Sequence, residues 1–238
     1  MSVLVIEHEA DASLGRFQPW LSAAGWTVDI RRPAAGDALP TDLTGYAGLV
    51  VLGGSPAAWE DEVAPWLPAT RALIRLGVED RVPTLGLCLG GQLMALALGG
   101  RVERGAAGWE CGVVTVRPTA AAVGDPLVGH LPEAGLPAAQ WHSDVVVELP
   151  DGARLLVAGS TYENQVFSVG DRAWGVQFHP EVTVADFCTW GALAPPSGVD
   201  VEAAYAQVRA LDDALAAAWK PLADGFADQM RAYAHSRS

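Results

Sequence analysis

Between Thr84 and Gly100 the chain reads "TLGLCLGGQLMALALGG": an apolar, strand-like run passes into a helix-like one around Cys88, with Gly86 two residues before it and Gly90 two after. Glycine lacks the Cβ atoms that would clash where a strand turns sharply into a helix about one residue. Such a turn belongs at the carboxyl edge of a parallel sheet, so this stretch restricts the chain to folds in which strands and helices alternate.

The rest of the first half agrees. "SVLVIEH" (Ser2 to His8), "YAGLVVLGG" (Tyr46 to Gly54) and "VPTLGL" are short Val- and Leu-rich runs that end at polar or glycine turns, as strands buried on both faces do. Helices are expected in "DASLGRFQPWLSAAG" and from Asp61 to Leu76, with the β-rich "WTVDIRR" between the first helix and the next strand. From Arg101 to Phe178 several β-type runs follow one another: "CGVVTVRP", "DVVVELP", "ARLLVAG", "NQVFSVG" and "RAWGVQF". They are expected to extend the sheet or to form a ribbon beside it. After His179 the pattern is helical: "VTVADFCTWGAL", a loop, then an Ala-rich stretch from Val201 to about Ala234. The expected fold is α/β: doubly wound and flavodoxin-like, a mostly parallel sheet with helices on both faces, a small additional β ribbon and a C-terminal helical extension.

Charge removes whole classes of partner. Fifteen Lys and Arg against 28 Asp and Glu give a net charge of -13, which repels phosphate backbones and anionic membrane surfaces. Neither nucleic acid nor membrane is an expected partner. The chain has no apolar run of membrane-spanning length, and its start, "MSVLVIEHEADASLG", lacks a basic n-region, so a cytoplasmic location is expected. Three cysteines, an odd number with no C-x-x-C pair, do not suit a disulfide framework.

Why a thiol should stand in the elbow follows from its surroundings. A helix N-terminus favours the thiolate, and the turn holds Cys88 up at the sheet edge, although a buried cysteine can equally be a small apolar packing residue. "GVQFHPEV" (Gly175 to Val182) supplies what a nucleophilic thiol requires: His179 as a base and Glu181, two residues on, to orient it. By itself His-Pro-Glu is also an ordinary strand end. "VLGGSPAAW" (Val51 to Trp59) places Gly53 and Gly54 after another strand, so that main-chain N–H groups can approach a substrate; a simple turn would use the same glycines.

"GGSP", "GLCLGGQLMALALGG", "WHSDVV" (Trp141 to Val146) and "GVQFHPEV", in this order and at these spacings, resemble the class I, triad-type glutamine amidotransferases. The C-terminal stretch resembles the extension of free-standing members similar to the amidotransferase domain of GMP synthase. The resemblance implies an amidotransferase-like domain over residues 1–183 and a helical extension over 184–238 packed on the same domain. It implies that Cys88 attacks the side-chain amide of glutamine to form a glutamyl thioester, that His179 protonates the departing ammonia and then activates water, and that Glu181 fixes the imidazole. Gly54 and Leu89 would supply the oxyanion-hole N–H groups. Gly53, Gln92, His142, Ser143 and Asp144 would contact the substrate, Asp144 through its α-ammonium; a turn capped by His142 and Asp144 is the plainer alternative. Many relatives carry His where this chain has Gly91, which is expected to loosen the pocket wall.

The expected activity is glutamine hydrolysis with ammonia passed to a separate synthase or ligase subunit. The alternatives are a free-standing γ-glutamyl hydrolase or peptidase and, ranked below both, a glutamine-binding regulator. No cofactor and no metal is expected, since no His, Cys and carboxylate spacing matches a zinc site. His8, at the end of the first strand, is expected in a solvated turn, with a place lining the site as the alternative; His130 and His235 are expected in loop and tail, and Cys111 and Cys188 as packing residues.

Overall fold

A computed structural model describes residues 1–237. Five strands form the parallel half of a nine-stranded sheet: β1 (Ser2–Ile6), β2 (Val28–Arg31), β3 (Tyr46–Val51), β4 (Thr84–Leu87) and β11 (Ala173–Val176), in the order β2-β1-β3-β4-β11. This is the flavodoxin-like 2-1-3-4-5 order, its fifth place filled by a strand from far along the chain. The sheet continues antiparallel through β10 (Asn164–Val169), β9 (Arg154–Ala158), β6 (Glu110–Pro118) and β7 (Leu136–His142). A separate two-stranded ribbon pairs β5 (Arg101–Arg104) with β8 (Asp144–Glu148).

The apolar runs are continuous because both faces of the parallel half are covered. Val3 and Val5 pack under α1 (Phe17–Ala23) and α6 (Asp212–Ser236), with Phe17, Leu21, Trp219 and Phe226 in one cluster. Leu4 and Ile6 turn to the other face, under α2 (Leu67–Glu79) and α3 (Leu89–Ala97), with Leu73, Ile74, Leu93 and Met94. Each such side chain contributes roughly 1.5–3 kcal/mol by leaving water. A third cluster joins α4 (Val184–Leu193) and α5 (Val201–Ala210) to the antiparallel half through Phe187, Trp190, Tyr205 and Ala139.

Several elements differ from expectation. The first helix begins at Phe17, not near Asp11, because Gly15 takes φ +49° and a Cβ there would lie 2.3 Å from the Glu181 carbonyl oxygen. The Arg16 N–H donates to that same oxygen at 2.8 Å, tying this turn to the His-Pro-Glu segment. The second helix starts at Leu67, after Pro65, with Pro68 in the first turn, where its missing N–H does no harm. The Ala-rich tail is two helices, α5 capped by Asp200 and α6 running through Pro221. Strands β5 and β7 were not expected. Leu136–His142 holds Pro137 and two alanines, poor strand formers, and is a strand because it pairs along its length with β6 at the sheet edge, where proline is tolerated. Among the described residues no helix is long and apolar enough to cross a membrane.

Candidate active site

Strand order makes the site. Since β4 lies between β3 and β11, the turns leaving the three strands at their carboxyl ends converge, bringing Gly53, Cys88 and His179 together from distant parts of the chain. Cys88 has φ +49° and ψ -108°, a backbone conformation that typically costs about 1–3 kcal/mol for a non-glycine residue and persists only where the surroundings enforce it. They do so here: the Cys88 N–H donates to the Val176 carbonyl at 2.8 Å, and the Gly90 N–H to that of Leu52 at 3.1 Å. A Cβ on Gly86 would lie 2.4 Å from the Gly90 oxygen, and one on Gly90 2.0 Å from the Val51 oxygen, so neither position accepts a side chain. The buried sulfur sits at the N-terminus of α3.

His179 is buried and held at both ends. Its N–H donates to the Ala139 carbonyl at 2.9 Å, and its Nδ1 lies 2.8 Å from Glu181 Oε1. Burial alone lowers the imidazole pKa, but the charges of Glu181 and Cys88 outweigh it and raise the value to about 10. The ring is therefore an imidazolium between a carboxylate and the sulfur at neutral pH. Trp190 covers it, the ring centroids 4.6 Å apart.

Gly53 and Gly54 explain themselves by contact. A Cβ on Gly53 would stand 3.2 Å from His179 Cε1 and 3.6 Å from Cys88 Cβ, and one on Gly54 3.0 Å from His8 Cβ and 3.1 Å from Leu89 Cδ2. Neither the Gly54 nor the Leu89 main-chain N–H has a hydrogen-bond partner among the described residues.

The other expected contacts lie on one side of the cleft. Gln92 Nε2 donates to the Asp144 carbonyl at 2.9 Å. Asp144 Oδ1 lies 2.8 Å from Arg104 Nε, an ion pair set up by the ribbon, in which Arg104 is opposite Asp144. Burial raises the Asp144 pKa, and the Arg104 charge works against that rise. Ser143 Oγ accepts from Arg104 Nη1 at 2.8 Å. His142 Nε2 lies 3.0 Å from Gln140 Oε1 and 3.2 Å from Glu110 Oε2. Gln165 Nε2 donates to Glu110 Oε2 at 3.2 Å, while its Oε1 accepts from Gln140 Nε2 at 2.8 Å. With only acceptors around Nε2, the proton of a neutral His142 resides there, leaving the buried, unpartnered Nδ1 as an acceptor.

The cleft, about 390 Å³, is lined by Gly54, Cys88, Gln92, His142, Ser143, Asp144 and His179, and also by Arg104, Trp109, Trp141, Trp190 and the loop after α4. Gly53 and Glu181 stand directly behind Cys88 and His179. The profile of the family described as "Glutamine amidotransferase class-I" matches residues 21–187. The chain belongs to that family.

Members of this amidotransferase family are hydrolytic enzymes. The chain is 34% identical to γ-glutamyl peptidase 4 of Arabidopsis thaliana over 59% of its own length and 55% of the peptidase. It is 42% identical to the glutamine-hydrolysing GMP synthase of Symbiobacterium thermophilum over 58% of its length and 25% of the synthase. It thus spans about half of the plant protein and a quarter of the synthase. A glutamine amidotransferase from Thermotoga maritima has the same fold, with a TM-score of 0.84 and 28% identity over 96% of this chain and 98% of that one.

Two expectations about the amidotransferase cleft are corrected. His8 is not in a solvated turn: it is fully buried, burial lowers its pKa to about 4, and its Nδ1 accepts from Trp66 Nε1 at 3.0 Å, so it is a neutral prop beneath Gly54. Gly91 does not loosen the pocket wall, because it faces the main chain of β11, where a Cβ would lie 2.9 Å from the Val176 oxygen.

Sequence reasoning also missed participants. Gln177, buried, accepts from Gln92 Nε2 at 3.4 Å and directs its own Nε2 towards Cys88 Sγ at 3.9 Å; its place two residues before His179 was a usable signal, since alternate strand residues share a face. Arg104 gave a weaker one, the alternation in "RVER". Trp141 opens the "WHSDVV" stretch, but nothing local separated Trp109 and Trp190 from the other tryptophans. Among the described residues no group of three or more His, Cys, Asp or Glu is arranged to hold a metal ion.

Proposed function

We propose that this chain hydrolyses γ-glutamyl amides through a cysteinyl thioester, with Cys88, His179 and Glu181 as the catalytic triad. The observation that carries the reading is geometric: His179, its Nδ1 2.8 Å from Glu181 Oε1, stands beside a cysteine with strained backbone geometry at a helix N-terminus. The Cys88 sulfur attacks the amide carbon, His179 Nε2 gives its proton to the departing nitrogen, and the same atom later takes a proton from the water that opens the thioester. Glu181 keeps the proton on Nδ1 throughout.

The unpartnered N–H groups of Gly54 and Leu89 receive the developing oxyanion; one such donor typically contributes about 3 kcal/mol to transition-state stability. Asp144 accepts from the α-ammonium of the glutamyl group, with His142 Nδ1 as a second acceptor. Arg104 meets the α-carboxylate, steered by Ser143, and Gln92 holds the strand that carries Asp144. Gly53 leaves room for the imidazole. Residues 1–183 carry the triad, and Trp190 with the stretch from Leu193 to Ser197 lines the cleft from the α4 side.

A γ-glutamyl hydrolase is the first reading, supported by the similarity to γ-glutamyl peptidase 4 and by a cleft of about 390 Å³ whose wall continues from Cys88 and His179 to Trp109, Trp141 and the loop after α4. Similarity to GMP synthase supports a second reading, in which ammonia from glutamine goes to a separate acceptor subunit. Glutamate release from L-glutamine and from γ-glutamyl amides, measured against Cys88→Ala, tests the proposal. Release that depends on Cys88, with a glutamyl adduct on that residue in mass spectrometry, is expected. Release unchanged in the variant, or none from any γ-glutamyl compound, would overturn it.

A further inference from the structure

We infer that the amidotransferase cleft contains a preformed subsite for an apolar, planar leaving group, so that its substrates are γ-glutamyl amides of aromatic or similarly flat apolar amines. The inference rests on the hydrolase reading above. In that chemistry the sulfur–carbon bond forms, the carbon–nitrogen bond breaks and the nitrogen leaves with the proton from His179 Nε2. Any substituent on that nitrogen must therefore extend past the imidazole, away from Arg104 and Asp144.

What lies there is aromatic. Trp190 packs on His179 at 4.6 Å, Trp141 is 6.1 Å from Trp190, and Trp109 is 6.1 Å from Trp141, giving a run of rings that starts at the proton donor and leads outward. The rings are held in place before any ligand arrives. Trp190 Nε1 donates to the Asp11 carbonyl at 2.8 Å, and Trp141 meets Phe187 edge-on at 5.1 Å and 83°. At the end of α4 the wall continues with Leu193, 67% exposed although large and apolar, and then with Pro195 and Pro196. An apolar wall so placed gains little from ammonia and much from a flat hydrocarbon group, which removes Leu193 and the ring faces from water. Gln92, Arg104, Ser143 and Asp144, joined to one another by hydrogen bonds and an ion pair, form a polar part of the lining apart from that run of rings, so the two ends of a γ-glutamyl amide meet different chemistries.

The test compares kcat/KM for L-glutamine and for the γ-glutamyl amides of methylamine, benzylamine and 1,3-diaminopropane; benzylamine is the weaker base, which by itself favours its amide only about several-fold. The benzylamide is expected to exceed the methylamide by about tenfold or more. Trp109→Ala and Leu193→Asn are each expected to reduce that ratio; Leu193 is at the rim, so its replacement does not threaten folding. Equal turnover of benzyl and methyl amides, still dependent on Cys88, would overturn the subsite and leave the hydrolase reading standing. Preference for the diaminopropane amide would overturn it in favour of charge selection by Glu9 and Asp11, which also line the cleft. No turnover of any γ-glutamyl amide would overturn both.

Discussion

The turns after the parallel strands β3, β4 and β11 bring the triad and closely approaching main chain to the cleft, whereas β6, β7 and the β5–β8 ribbon bring a network of polar side chains. On the parallel side Gly53, Gly54, Cys88 and Gly90 are defined by backbone conformation, close approach and N–H direction. On the antiparallel side Arg104, Glu110, Gln140 and His142 are defined by ion pairs and hydrogen bonds made across strand register. Backbone geometry suits chemistry that is the same for every γ-glutamyl amide, because it costs no reorganisation during the reaction. Side-chain networks suit recognition, which can change by substitution without disturbing the elbow. Under the proposed function, turnover is expected to depend on the parallel half and affinity on the antiparallel half.

Its strongest test is Cys88→Ala, expected to lower kcat by about 10⁴-fold or more with binding of a γ-glutamyl ligand retained, as titration calorimetry can show. Loss of binding would mean that the parallel half also recognises substrate. Glu181→Gln should follow, with a fall in kcat on the order of 10³–10⁴ and a displaced pH profile. In the parent protein His179 keeps its proton up to about pH 10, so activity should persist into the alkaline range; without the Glu181 charge burial lowers that pKa, and the alkaline limb should move to lower pH. Stability carries the same sign. The folded pKa is above the ordinary 6.5, so this contribution is complete below pH 6.5 and disappears as pH rises through about 10, a decline that urea titrations at several pH values should find reduced in the variant.

On the antiparallel side Arg104→Ala should raise KM about 10–100-fold while kcat changes little, the result of losing one charge-assisted contact. A fall in kcat with KM unchanged would break the comparison, since Arg104 would then serve the transition state alone. The smallest effect concerns strain: Cys88→Gly should be inactive yet about 1 kcal/mol more stable than Cys88→Ala in chemical denaturation, because glycine takes φ +49° without penalty.

The same contrast governs how much could be read from the chain. The elbow, the His-Pro-Glu pair and the glycine turn were legible because each is a short stretch whose residue types reflect local geometry. The first helix was read too long because the turn at Gly15 is set by the carbonyl of Glu181, far along the chain. Strand β7 was invisible because Pro137 and its alanines have no strand preference of their own and are held by β6. His8 resembled a loop residue because polar neighbours follow it, yet Trp66 and Gly54 bury it.

The sequence by itself determined the α/β alternation, the strained cysteine between its glycines and the residue types able to activate it, since these depend on periodicity and on steric limits within a few residues. Only the tertiary structure decided that β11 lies beside β4, that Arg104 faces Asp144 and that three tryptophans line one cleft. Those placements depend on strand order, cross-strand register and the docking of α4, set by burial and pairing between segments remote in the chain, and no local pattern records which distant surface a residue will meet.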